Sequence, residues 1–315
     1  MPASLVPVDP VTYLEKAKQE SRSSAAVTEP VSPSTIGERQ WLASIALQFS
    51  AREDKTVLLQ AKHQGPLRVQ RPFYPEGPAC CHIYLLHPPG GMVIGDRLLI
   101  SAELAENTQA LITTPSAGKI YGAKGSALVQ SQQVEFSLAE NTVLEWLPQE
   151  TIVFNGARGR LQTRVHLQSN SCYAGWDIVR LGRAASGERF VQGECLQSLE
   201  VYRSGRPLFI ERNRIVAGSK LQASVWGLNN KNTLGTFIVT VSLSRTDIDE
   251  LIESVEALSG CVASDWSMTQ KNDVFIARYL GDDVSFCRRG FEHIWNSLRP
   301  AFKNSAAVRP RIWNT

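Results

Sequence analysis

Two stretches decide how this chain folds: ISAELAENTQALITTP at residues 100–115 and VEFSLAENTVLEWLP at residues 134–148. The five letters LAENT recur 34 residues apart (138 − 104). Before the first copy, Ile100, Ala102 and Leu104 share one face of an extended segment; before the second, Val134, Phe136 and Leu138 do the same. After each copy a new apolar run begins, and each run soon meets a proline. Asn tolerates left-handed backbone, and Asn, Ser and Thr bond to the local backbone, so LAENT reads as a tight polar turn between two strands.

A degenerate third copy follows in RVHLQSNSCYAGW, where Leu167 and Asn170 keep the spacing and Ser171 replaces Thr, 29 residues after the second. Repeats of this length suggest stacked units, each burying a face on the next. The expected fold is mainly β: a stacked-strand, β-helix-like solenoid body with two helices in the C-terminal region. A β-sandwich with two similar hairpins fits the same text.

Outward from the repeat, short apolar runs split by Gly, Pro and charge read as strands from Trp41 to about residue 245. Two helical patterns come late. TDIDELIESVEAL sets Ile248, Leu251, Ile252, Val255 and Leu258 on one stripe, with Thr246 or Asp247 as cap. FCRRGFEHIWNSLRPAF repeats Phe291, Ile294, Trp295, Leu298 and Phe302 and is expected to end near Pro300. VFIARYL between them is a further strand. Residues 1–37 are rich in Ser, Pro and Ala and predict a flexible arm, with a short helix conceivable at TYLEKAKQE; residues 38–315 predict a single β-rich domain.

The 315 residues carry a net charge of +3 and no dense basic run, which argues against nucleic acid as a partner. No apolar run reaches membrane-spanning length, and the N-terminus lacks the basic start and apolar core of a secretory signal. The six cysteines are therefore expected reduced and the protein cytoplasmic.

Catalytic motifs are missing. The glycine-rich LLHPPGGMVIGDRL leads into a strand, so no helix N-terminus waits there for phosphate; a tight connection using Gly90, Gly91 and Gly95 is expected, with Asp96 a turn residue or a carboxylate aimed at a site. In CCHIYLLH, Cys80 and His82 share a face while Cys81 looks away, and two ligands fall short of a zinc site; packed cysteines and a surface His are the simpler expectation. There is no G-x-S-x-G, and none of the five histidines has a catalytic context. Scattered carboxylates (Glu145, Glu150, Asp177, Glu188) leave a β-solenoid carbohydrate-active enzyme as the alternative to a binding or scaffolding role.

LLHPPGGMVIGDRL, LITTPSAGKIYGA, LEWLPQETIVFNGAR, WDIVRLGRAASGERFVQG and the terminal RPRIW stand in the order seen in the urease accessory protein UreD (UreH) family, which this chain resembles from about residue 40 to its end. Ile94 stands where a glycine is more usual. The resemblance implies a non-enzyme that binds a UreF-like accessory protein and, through it, a UreG-like GTPase. It also implies docking on apo-urease to support Ni²⁺ insertion, with an internal tunnel as the nickel route. No tightly bound cofactor is implied, only transient Ni²⁺ passage, and neither nucleic acid nor membrane is a partner. Such a route needs oxygen donors that bind weakly and release. By position in the motifs, Asp96, Thr114, Ser116, Lys119, Glu145, Glu150, Asp177, Arg183 and Glu188 are the expected lining or organising residues. Trp176, Phe190, Phe291 and Trp295 are the expected partner contacts. No tight metal site is expected, with His87 a weak candidate.

Overall fold

The computed structural model describes residues 41–122 and 127–314; the expected arm lies outside the described residues. In chain order the strands begin with β1 (Leu42–Arg52), β2 (Lys55–Gln64), β3 (Arg68–Val69), β4 (Cys80–Leu86), β5 (Arg97–Leu104) and β6 (Gln109–Thr113). There follow β7 (Gly118–Ile120), β8 (Gln130–Leu138), β9 (Val143–Leu147), β10 (Thr151–Val153), β11 (Arg158–Leu167) and β12 (Cys172–Leu181). The last are β13 (Glu194–Arg203), β14 (Arg206–Val216), β15 (Thr233–Val239), β16 (Trp266–Lys271) and β17 (Val274–Gly281). The helices are the single turn α1 (Lys220–Ala223), then α2 (Arg245–Glu256) and α3 (Val284–Lys303). The chain is mainly β.

The strands form two sheets. The first runs β14-β13-β11-β8-β5-β1-β2, the second β16-β17-β15-β12-β9-β6-β4-β3. Their centres are parallel and their edges antiparallel. The LAENT copies are not hairpins, because the strand before each turn lies in the first sheet and the strand after it in the second. Each copy pairs in parallel with the next: Leu104 with Leu138, and Leu138 with Leu167. Across the turn, Gln109 pairs with Val143, and Val143 neighbours Cys172. The spacings of 34 and 29 residues read from the sequence are therefore the sheet register.

The turn chemistry is shared. Asn107 and Asn141 take positive φ, 61° and 57°. Thr108 Oγ1 donates to the Ala105 carbonyl (2.7 Å), Thr142 Oγ1 to Ala139 (2.8 Å) and Ser171 Oγ to Gln168 (2.9 Å). Backbone bonds carry the ladder through the corners, from Ala139 N to the Leu104 carbonyl and from Gln168 N to Leu138.

One core fills the space between the sheets, from Ile45, Ile100, Phe136 and Val165 on one side to Ile83, Ile112, Trp146 and Tyr173 on the other. A second lies on the outer face of the second sheet, where Trp176 and Phe237 meet Phe291, Ile294 and Trp295 of α3 and Ile248 and Leu251 of α2. Alternation explains the pairing: in β9 Leu144 and Trp146 face one core, while Glu145 and Leu147 face the other way.

Two details of the helices differ from expectation. The cap of α2 is Ser244: its Oγ accepts from Asp247 N at 3.1 Å, while Asp247 Oδ2 accepts from Ser244 N at 2.8 Å. Helix α3 does not stop at Pro300 but continues to Lys303, closing on a left-handed Asn304 whose N–H reaches the Pro300 carbonyl. A proline removes one donor and crowds the carbonyl four residues back, but this last turn is anchored by buried ion pairs described below. The short β7 and β10, three residues each, offered no alternation to read.

Candidate functional site

The expected residues fall into three places. The first is behind α3. Glu145 is fully buried, and Arg299 binds it through Nε to Oε1 (2.8 Å) and Nη2 to Oε2 (3.0 Å). Trp295 Nε1 donates to the same Oε1 at 2.6 Å. Arg299 Nη2 also reaches both oxygens of Glu76, at 2.7 and 2.6 Å. Lys303 Nζ lies 3.2 Å from Glu76 Oε2, 3.2 Å from Glu145 Oε2 and 2.7 Å from Cys80 Sγ. His82 Nε2 donates to Glu76 Oε1 at 2.6 Å.

Burial alone would raise both carboxyls. For Glu76 the His82 hydrogen bond, the Lys303 ammonium and Arg299 outweigh it and hold the group well below the usual range. For Glu145 the Lys303 ammonium and Arg299 do the same. Burial pushes the Cys80 thiol far up. Two carboxylates thus face two permanent cations, and the cluster is neutral as it stands.

The second place is between the sheets, on the side of β12 opposite α3. Asp177 Oδ2 is closed off from solvent and has no hydrogen-bond partner. Burial lifts its carboxyl to about 7, against a hydrogen bond from Gln197 and helped by the nearby Glu211 charge. A polar line leads outward. Asn213 Nδ2 donates to Gln197 Oε1 (3.2 Å) and Glu211 Oε1 (3.3 Å), and Thr236 Oγ1 donates to Glu211 Oε1 (2.8 Å). Arg278 Nε caps Glu211 Oε2 at 3.0 Å, with the Arg278 side chain 45% exposed.

The third place is the end of the units where the second sheet's strands turn into β7 and β10. Thr114 Oγ1 accepts from Gln149 N (2.9 Å) and donates to the Ser116 carbonyl (3.4 Å). Gly118 N donates to the Glu150 carbonyl, and Lys119 pairs with Ile152. Gly91 presses against this ladder: a Cβ there would lie 2.6 Å from the Tyr121 ring and 2.9 Å from Lys119 Cβ, which is why the loop needs glycine. Asp96 Oδ2 accepts from Val93 N at 2.8 Å, a turn bond, and its charge partly offsets the burial that lowers the half-buried His87. Arg183 Nε binds Glu188 Oε2 at 2.7 Å, while Glu188 Oε1 accepts from Asn155 N at 2.7 Å. Thr114, Ser116, Glu150, Arg183 and Glu188 thereby act in turns and connections.

Three expectations need correction. His82 is completely buried, not a surface histidine, because the loop carrying Glu76 and the end of α3 cover that face of β4. Trp176, Phe190, Phe291 and Trp295 are all buried, so none presents a contact surface: Trp176 packs against Phe237, Phe291 and Trp313, and Phe190 belongs to the core between the sheets. Exposed apolar side chains include Trp41, Leu59, Val93 and Val262, and a group at and near α1, Val191, Val216, Leu221, Val225 and Trp226, the last 93% exposed. Finally, the carboxylates nearest one another at the first site, Glu76 and Glu145, sit behind α3 and are neutralised there, not in a groove open to a glycan.

Sequence reasoning missed Glu76, Arg299 and Lys303. A signal existed for the last two. Arg299 falls on the apolar stripe between Trp295 and Phe302, and Lys303 follows four residues later. Cations on a buried stripe call for buried acids. Glu76 lies in the loop before β4 and has no such pattern.

Buried polar devices, set in a β body with exposed apolar residues near α1, fit a binding and assembly protein. The comparison with known families agrees: the model of the UreD urease accessory protein matches residues 42–314, so the chain belongs to the UreD family. A urease accessory protein of Saccharophagus degradans is 54% identical over 288 residues, covering 91% of this chain and 97% of that protein. Those of Dechloromonas aromatica (42% over 275 residues; 87% and 95%) and Hahella chejuensis (36% over 309 residues; 96% and 99%) are also similar. The family is one of assembly factors and not of catalysts. Among the described residues, no helix is long and apolar enough to cross a membrane.

Proposed function

We propose that this chain is a cytoplasmic scaffold for urease maturation. It binds a UreF-like accessory protein, recruits a UreG-like GTPase through it, docks on the urease apoprotein and supports delivery of Ni²⁺. Family membership over residues 42–314 carries this reading. The stacked, β-helix-like description of the body is supported by the parallel register of the three LAENT-type units.

The chemistry of the Asp177 line supports transient passage. Its donors are carboxylate, amide and hydroxyl oxygens, which hold a borderline divalent ion weakly. An Asp177 carboxyl near neutrality gives up its proton at little cost when a cation arrives. The exposed residues around Trp226 are the proposed partner contact, since Leu221, Val225 and Trp226 stand exposed close together in the chain and an aromatic in such a group is the usual anchor of an interface.

The test is urease activation in cells that hold the remaining maturation genes but lack this one. Urease activity and bound nickel should appear only when the chain is supplied. Asp177→Asn should lower nickel loading while leaving the chain folded and able to bind its partners. Equal maturation without the chain overturns the scaffold reading; full loading with Asp177→Asn overturns only the route.

A further inference from the structure

The atoms around Lys303 have the composition of a metal site. Glu76, Cys80 and His82 offer one carboxylate oxygen, one sulfur and one ring nitrogen, all within 4.8 Å of one another. Glu145 adds a second carboxylate from β9, beyond β6 in the same sheet. Three of these residues share a single cation already: the Lys303 ammonium stands within 3.2 Å of Glu76 Oε2, Glu145 Oε2 and Cys80 Sγ. The Lys303 side chain is only 2% exposed, so the point is closed to solvent.

We propose that Glu76, Cys80, His82 and Glu145 form a latent transition-metal site that Lys303 keeps closed by occupying it with its own tethered cation. The donor set of thiolate, imidazole and carboxylate suits Zn²⁺, Co²⁺ or Ni²⁺, which draw such ligands to about 2.0–2.3 Å. The lysine holds the Glu76, Cys80 and Glu145 atoms at hydrogen-bond distance, and His82 is joined to the group through Glu76, so a metal there has to draw the four ligands inward.

The exchange balances. A divalent ion enters, the Lys303 ammonium leaves for solvent, the His82 proton shifts from Nε2 to the unpartnered Nδ1 so that Nε2 has a lone pair for the ion, and the Cys80 thiol loses its proton to water as the sulfur–metal bond forms. Two features keep the wild-type chain from making it. The last turn of α3 is fixed by Arg299, which bonds Glu76, Glu145, the Ser305 hydroxyl and the Ala306 carbonyl. The two carboxylates are also already neutralised, so an entering ion gains nothing until the lysine withdraws. A protein that hands a metal on benefits from a plugged cage, since an open one would retain the ion. The inference concerns the isolated chain and stands whether or not the nickel reading does.

The experiment titrates Co²⁺ into the purified full-length chain and its Lys303→Ala variant, reading the thiolate-to-cobalt charge-transfer band. Lys303→Ala should take up one equivalent with that band, on the order of a hundredfold more tightly than wild type, because removal of the ammonium leaves a buried carboxylate uncompensated. Adding Cys80→Ser should abolish the band. Lys303→Gln, closer in size and still a hydrogen-bond donor, repeats the test. If Lys303→Ala does not fold unaided, it is refolded with Co²⁺, where recovery of the folded state together with the band is the expected result. Three outcomes overturn the proposal: a wild-type chain that shows the band at the same Co²⁺ concentration, folded variants without it, or a band that survives Cys80→Ser.

Discussion

Arg299 Nε lies 2.8 Å from Glu145 Oε1, and both side chains are completely shut off from solvent. The pair joins the last helix to the middle of the second sheet across 154 residues of chain. Arg299 extends the tie to Glu76, whose loop covers the same face. Removing one partner strands a charge where water cannot reach it. Arg299→Met should therefore destabilise the chain by about 3–5 kcal/mol, read as a lower urea midpoint. The double variant Glu145→Gln with Arg299→Met should lose less than the single one. Equal losses would show that packing, not charge, makes the tie.

The same cluster sets an acid limit. Glu76 and Glu145 titrate lower in the folded chain than in the unfolded one, so the unfolded chain binds more protons as pH falls. Their contribution is present above the model-peptide value of 4.5 and is lost as pH drops through the folded values. Lys303 is shifted upward, so its share is complete below 10.5 and is lost as pH rises through its folded value. Thermal midpoints between pH 7 and pH 3 should fall steeply for wild type and less steeply for Glu76→Gln, from a lower start.

Asp177 runs the other way. Its carboxyl is raised from 3.8 to about 7, so the folded chain holds a proton that the unfolded chain has released. Stability from this group is greatest below about pH 4 and declines toward pH 7. Asp177→Asn should remove that decline, stabilising the chain at pH 8 by ~2–4 kcal/mol and leaving it little changed at pH 4. Denaturant midpoints for both proteins at the two pH values test the sign. A variant less stable at pH 8 would mean that the Gln197 contact outweighs burial.

The LAENT corner predicts its own substitution pattern. Asn141 has φ 57°, a conformation that costs an ordinary side chain about 1–2 kcal/mol. Its backbone N–H also donates to Asn170 Oδ1 at 2.9 Å, tying one corner to the next. Asn141→Ala should be destabilising by about that amount and Asn141→Gly by less, measured by chemical denaturation. Asn170→Ala should weaken the same corner without any backbone strain, since Asn170 itself is not left-handed.

Trp226, 93% exposed, separates stability from association. Trp226→Ser should change stability by less than about 0.5 kcal/mol, as surface changes do. If the proposed UreF-like protein is the partner, its capture should weaken by tenfold or more, in line with an aromatic anchor of about 1.4 kcal/mol or above. Undiminished capture would move the contact away from α1.

Much of the fold was legible because repeats and alternation are local. Two copies of LAENT, 34 residues apart, set the register of β5 on β8 and of β6 on β9, and L-x-x-N fixed the third unit. The stripes of α2 and α3 were equally plain, since 3.6-residue periodicity needs no partner to be seen. The roles of single side chains were not local. Trp176 and Phe291 read equally well as surface anchors or core, and only the packing of α3 on the second sheet buried them. Asp177 and Glu145 look alike as acids in strands. Opposite faces of the second sheet gave one an unpaired oxygen between the sheets and the other two cations behind a helix.

By itself the sequence determined the strand and turn units, their spacing and the family motifs, because each is written in contiguous residues. Only the tertiary structure decided that Glu76, Cys80 and Glu145 meet around Lys303, with His82 bonded to Glu76. Those residues come from a loop, two strands and a helix end, and no pattern along the chain links them. Their meeting depends on the helix continuing past Pro300, and the buried charges themselves hold that extra turn in place.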